Sequence, residues 1–210
     1  MKTVMVINSK GGSGKTTIST NIAAYYAQKG FEVRLVDLDV QQSSLAWLAN
    51  RPSSKPKIVG TTSFTKPLKK TKDNFIVVYD VPAAIHGPRL ETYIKKAQKI
   101  VVPVLPSPID MEAAKKFIQN LKNMGAVVRK KIKIGFVANR CRANTNIFLE
   151  LDEYLLKARG VHYITAFRDN TNYIKSAKKG LGIFEFAERA TAQDREEWKS
   201  LISWINSSRK

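Results

Sequence analysis

The sequence predicts a three-layer α/β fold, a mostly parallel twisted sheet flanked by helices on both faces. Two observations carry this. Short apolar runs alternate with segments of helical spacing, the order that builds a parallel sheet covered on each side. The first run, Thr3 to Ile7, is apolar without alternation, as in a strand buried on both faces. At 210 residues and 43% hydrophobic content the chain can bury one core without disulfides or a structural metal.

Thr16 to Lys29 reads as the helix after that strand, with Ile18, Ile22, Ala23 and Tyr26 on its apolar face, and Gly30 supplies a C-cap. Phe31 to Val36 is the second strand. A helical stretch through Leu45, Trp47 and Leu48 follows, then a Pro- and Lys-rich loop from Asn50 to Lys57. Phe75 to Tyr79 is expected as the third strand and Ile100 to Leu105 as the fourth. Ile109 to Met124 has helical spacing, Ile132 to Ala138 is the fifth strand, and Phe148 to Arg159 is another helix. A short strand near Tyr163 to Phe167 and a helix from Ala192 to Ile205 close the chain. No repeat, low-complexity tract or linker interrupts it, so residues 1–210 are expected to form one domain.

The first strand runs into Lys10-Gly11-Gly12-Ser13-Gly14-Lys15-Thr16-Thr17 and then a helix. Glycines at that junction let backbone N–H groups and a helix N-terminus converge on one point, which is what holding a polyphosphate requires. This is a P-loop, and the fold it predicts is that of a P-loop NTPase. Lys15 can reach the β and γ phosphates, and the Thr16 hydroxyl can take one position on Mg²⁺. The usual pattern has glycine where this chain has Ser9, so the loop departs from the standard form. Asp80 ends the run Phe75-Ile76-Val77-Val78-Tyr79, and Asp37 and Asp39 end the second strand. Carboxylates at the C-terminal edge of a sheet face the nucleotide crevice, where Asp80 can hold Mg²⁺ through water.

These residues resemble the ParA/MinD family of deviant Walker A ATPases over nearly the whole chain. The signature is Lys10-Gly11-Gly12-x-Gly14-Lys15-Thr16, with the second lysine, Lys10, near the start of the loop. The segments Asp37-x-Asp39-x-Gln41, Asp80-x-Pro82 and Pro103-Val104-x-Pro106-Ser107-Pro108 are similar to the family as well. Compactness makes the chain most similar to small plasmid-partition and cargo-positioning ParA proteins. The resemblance implies ATP and Mg²⁺ as cofactors and a nucleotide site built from Gly11, Gly12, Ser13, Gly14, Lys15, Thr16 and Thr17. It implies that Lys10 crosses an ATP-sandwich homodimer to the partner's phosphates, that Asp39 positions the attacking water, and that Asn139 recognises adenine. Thr16, Asp37 and Asp80 are the expected metal-side residues, Asp37 being either structural or Mg²⁺-linked. Val40 stands where the family commonly has proline, and Gln98 where it usually has aspartate.

Charge is the chain's least ordinary property. Against 17 Asp and Glu stand 36 Lys and Arg, a formal net charge of +19 that draws the protein to polyanions. From Arg129 to Lys179 twelve cations face four acids. Lys130, Lys131, Lys133, Arg140, Arg142, Arg168, Lys175, Lys178 and Lys179 are candidates for one basic face, and Lys66, Lys69, Lys70 and Lys72 form a separate cluster. The resemblance implies that Arg140, Arg168, Lys175, Lys178 and Lys179 serve nonspecific DNA binding on the nucleoid. It also implies a ParB-like or cargo-adaptor protein that stimulates otherwise weak hydrolysis.

Other functions are less well matched. Trp198, Leu201, Ile202 and Ile205 have the spacing of a membrane-surface helix like that of MinD, but the acids Asp194, Glu196 and Glu197 before them oppose anionic lipid, so core packing is expected. Trp204 lies off that stripe. A small-molecule synthetase has no evident substrate residues. An iron-sulfur reductase needs two thiolates per chain, and Cys141 is the one cysteine, expected to be buried and inert. No signal peptide or membrane span is visible, so the protein is expected in the cytoplasm.

Overall fold

A computed structural model of the chain describes residues 2–63, 74–83 and 85–207. The cluster Lys66, Lys69, Lys70 and Lys72 lies outside them. In chain order the elements are β1 (Lys2–Val6), α1 (Lys15–Gln28), β2 (Glu32–Asp37), α2 (Ser43–Ala49), β3 (Ile58–Thr61), β4 (Phe75–Asp80), α3 (Gly87–Ile94) and β5 (Lys99–Val104). There follow α4 (Pro108–Asn123), α5 (Gly125–Lys130), β6 (Lys133–Cys141), α6 (Asn146–Lys157), β7 (His162–Arg168), α7 (Thr171–Ala177) and α8 (Ala192–Asn206). Two 3₁₀ turns, Ile183–Glu185 and Glu188–Thr191, precede α8.

Seven strands form one sheet in the order β3-β2-β4-β1-β5-β6-β7, and every pairing is parallel. Their apolar runs lack alternation because both faces are covered. Met5 and Ile7 enter one core while Val4 and Val6 enter the other, and Phe75, Val77 and Tyr79 part from Ile76 and Val78 in the same way. Phe117, Ile118 and Leu121 of α4 and Leu151 and Leu155 of α6 seal the first face. The second is sealed by Ile18, Ile22 and Tyr26 of α1 and by Trp198, Leu201, Ile202 and Ile205 of α8.

That placement decides the C-terminal segment in favour of core packing: Trp198 is fully buried and stacks on Phe167 with ring centroids 4.5 Å apart. No helix among the described residues is long and apolar enough to cross a membrane. Trp204 leaves the buried stripe to lie over Gly135, with the Lys99 ammonium 5.0 Å from its ring. Cys141 is buried and its thiol is pushed up to about 12, chiefly by burial, which suits an inert side chain.

Candidate nucleotide site

Asn8, the first polar residue after β1, anchors the loop. Its buried amide donates to the Pro103 carbonyl at 2.7 Å, and its Oδ1 accepts from the Lys10 amide at 3.3 Å. The chain then turns through Gly12 and Gly14, with φ of 75° and 92°, conformations that side chains resist. Helix α1 starts at Lys15, and its unpaired first-turn N–H groups open onto the loop. The Lys15 ammonium donates to the Lys10 carbonyl at 2.9 Å. Burial lowers its pKa, against the opposing fields of Asp80 and Asp39.

Strand register sets Asp37 and Asp80 side by side at the ends of β2 and β4. Their environments differ. Asp37 accepts from the Ser44 amide at 2.9 Å, the Ser44 hydroxyl at 2.7 Å, the Leu45 amide at 3.2 Å and the Asp39 amide at 3.0 Å. It caps the N-terminus of α2 and fixes the loop that bears Asp39. These bonds account for the structural one of its two expected roles. Asp80 is pushed up to about 7, first by burial, against the lowering effect of the nearby Thr16 hydroxyl. A buried carboxylate that disfavours its own charge, beside a P-loop threonine, is what a divalent cation would compensate. Half-buried Asp39 lies near enough to Lys15 to act on its charge, and its Oδ1 accepts from the Gln41 amide at 3.0 Å.

Asn139 donates from Nδ2 to the Ser13 carbonyl at 2.8 Å and covers Gly14. Its donor half is thus engaged by the loop, and the acceptor Oδ1 has no partner among the described residues. Beside it opens a cleft of about 420 Å³ lined by Thr17, Asn139, Arg140, Asp169, Tyr173 and Lys178, among others. A polyphosphate cradle next to a cleft of that size suits a nucleotide.

The expected DNA-binding residues are not equivalent. Arg140, Lys175, Lys178 and Lys179 are exposed near this end of the sheet. Arg168 instead clamps Asp194, with Nε to Oδ1 at 2.6 Å and Nη2 to Oδ2 at 3.0 Å, while Nη1 donates to Gln193. Asp194 is completely buried and also accepts from Asn172. The ion pair makes Arg168 a strut between β7 and α8, with 30% of its side chain left exposed. Lys130, Lys131 and Lys133 sit at the opposite end of β6, so the single basic face expected from sequence is divided. Sequence reading also missed Asn8 and Ser44. The first polar residue after a buried strand and a serine in the first turn of a helix were the available signals.

Fold and loop together define a P-loop nucleotide-binding protein. Residues 4–183 match the model of the family described as the CobQ/CobB/MinD/ParA nucleotide binding domain, and the chain belongs to it. It is 28% identical over 193 residues to maintenance of carboxysome distribution protein A of Halothiobacillus neapolitanus, covering 89% of this chain and 88% of that protein. Among solved structures it resembles a putative plasmid partition protein of Borrelia burgdorferi bound to AMPPNP, at TM-score 0.72 and 12% identity over 97% of this chain and 99% of that one. An ATP complex of McdA from Cyanothece superposes at TM-score 0.71 and 14% identity, over 100% and 99% of the two chains. At such identities the likeness shows the shared fold.

Proposed function

We propose that this chain is one ATPase domain that positions cargo by cycling between an ATP-bound homodimer on nucleoid DNA and a released, hydrolysed state. One observation carries the reading. The Lys10 ammonium makes no hydrogen bond or ion pair among the described residues, whereas the Lys10 carbonyl holds Lys15. A cation unpaired within its own subunit, beside a phosphate cradle, is suited to a partner subunit's phosphates, where it stabilises developing charge in trans. ATP with Mg²⁺ supplies the phosphoryl chemistry; Gly11 to Thr17 would bind the phosphates, Thr16 and Asp80 would face the metal, and Asp39 would orient water.

The +19 charge supports nonspecific DNA as a partner, with Arg140, Lys175, Lys178 and Lys179 among the contacts. A ParB-like or adaptor protein would stimulate slow hydrolysis, and the relative from Halothiobacillus neapolitanus makes carboxysome-like assemblies a candidate cargo beside plasmids and chromosomes. The setting is the cytoplasm.

The test measures mass in solution and duplex DNA binding with ATP, ADP or neither across a salt series. ATP is expected to yield a dimer that binds DNA with steep salt dependence. Lys15→Gln should lose both properties, while Lys10→Ala should keep nucleotide and lose the dimer. A monomer under ATP at every concentration, or no DNA shift at any salt, would sink the reading.

A further inference from the structure

The basic residues divide between the two ends of the sheet. All strands run in parallel, so all begin at one edge and finish at the other. The nucleotide loop, Arg140 and Lys178 belong to the C-terminal edge. Lys133 and Arg140 stand near opposite ends of β6, about 23 Å apart at about 3.3 Å per residue. At the N-terminal edge β1 opens on Lys2, β5 on Lys99 and β6 on Lys133, the last two in register. Lys96 in the turn before β5, and Arg129, Lys130 and Lys131 at the end of α5, are exposed there. The Lys130 ammonium donates to the Lys95 carbonyl at 2.8 Å, which draws these two segments together.

Among the described residues few acids offset this edge. Lys2, Lys96, Lys99, Arg129, Lys130 and Lys131 enter no ion pair among the described residues. Among the described residues the acids there are Glu91, paired with Lys95 at 3.4 Å, and Glu32 at the start of β2. Gln98 is neutral and is held by accepting from the Thr3 amide at 3.1 Å. Buried Lys99 registers the resulting field: it donates to the carbonyls that end α8, and its pKa is pushed down to about 8 by burial, then by Lys133 and Lys2.

We propose that this N-terminal strand edge is a second polyanion-docking face that takes the phosphate backbone of duplex DNA, with Lys96, Arg129, Lys130 and Lys131 as its contacts. It rests on the DNA reading above and adds a surface to it. A protein partner fits less well, since interface cores are apolar and depleted in Lys, whereas the exposed large apolar side chain in these segments is Val128. The face also points away from the nucleotide loop. Two subunits joined through their loops therefore keep both faces open, and dimerisation adds phosphate contacts.

Anisotropy of a short labelled duplex with ATP-bound protein across a salt series tests the assignment. Lys96→Gln with Lys131→Asn is expected to weaken binding at least ~10-fold near 0.1 M salt and to lower the log–log salt slope by about two. Gln98→Glu keeps the acceptor for Thr3 and is expected to weaken binding several-fold without lowering the melting temperature. Wild-type affinity in both, with loss only in Lys178→Gln plus Lys179→Gln, overturns the second face and leaves the DNA reading standing. Wild-type protein that binds no duplex at any salt overturns both. Binding of polyglutamate through this edge, without binding of duplex, overturns the proposal in favour of an acidic protein partner.

Discussion

The amide nitrogen of Asn139 sits 2.1 Å from where a Cβ on Gly14 would stand, so the end of β6 and the phosphate loop interlock through a missing side chain. Gly14 also has a φ of 92°, so alanine there meets both a steric and a torsional penalty. Gly14→Ala is expected to cost about 1–3 kcal/mol of stability and to abolish ATP binding. Adding Asn139→Ala should relieve the clash but not the torsion, recovering part of the melting temperature. Calorimetry and ATP titration of the two variants check this, and additive losses would refute the interlock.

Asp37 and Asp80 are neighbours in register with different partners, so their substitutions should separate. Asp37→Ala leaves the Ser44 and Leu45 amides without their acceptor and is expected to cost about 2–4 kcal/mol without nucleotide. If thermal melting found Asp37→Ala as stable as wild type, with Mg²⁺ affinity alone reduced, the capping role would be wrong.

Arg168 presents a different separation. Removing its guanidinium strands the carboxylate of Asp194, which has no exposure, whereas Arg168 itself retains 30% side-chain exposure. The expected cost of Arg168→Ala is about 2–3 kcal/mol, discounted for that exposure, or a fall of roughly 5–10 °C in melting temperature. Any loss of DNA binding in this variant should therefore track unfolding and vanish when measured well below the transition. An unchanged melting temperature with weakened DNA binding would make Arg168 a direct contact instead.

The sequence made the phosphate loop and the central strands legible because both are local. Gly11, Gly12, Gly14, Lys15 and Thr16 are contiguous, and strands buried on two faces are unbroken apolar runs. Ile58–Thr61 was not legible: this edge strand is four residues long with Val59 and Gly60 exposed, and it lay beside a stretch read as loop. Helices Gly87–Ile94 and Thr171–Ala177 are too short for their periodicity to stand out, and Gly125–Lys130 follows Pro108–Asn123 with a break only at Met124. The features that were not legible depend on long-range partners. Arg168 meets Asp194 twenty-six positions away, and Lys130 parts from Arg140 only once β6 is extended. Charge counted along a chain cannot show which end of a strand carries it.

Asp80 supplies a prediction whose sign is unusual for a carboxylate. Its pKa is about 7 in the fold against an ordinary 3.8, so between those values the folded state holds a proton that the unfolded state has released. Stability from this group is therefore greatest at low pH and falls as pH rises from about 4 to about 7. Asp80→Asn mimics the protonated side chain. Without nucleotide it is expected to match wild type at pH 4 and to melt several degrees higher at pH 8, the gap opening across that window. In wild type a divalent cation must displace the same proton, so Mg²⁺-dependent ATP affinity should rise between pH 6 and 8. Melting curves and ATP titrations at four pH values measure both effects. Equal melting of the two proteins at pH 4 and at pH 8 would show that Asp80 titrates alike in the folded and unfolded chain and that burial is not what governs it.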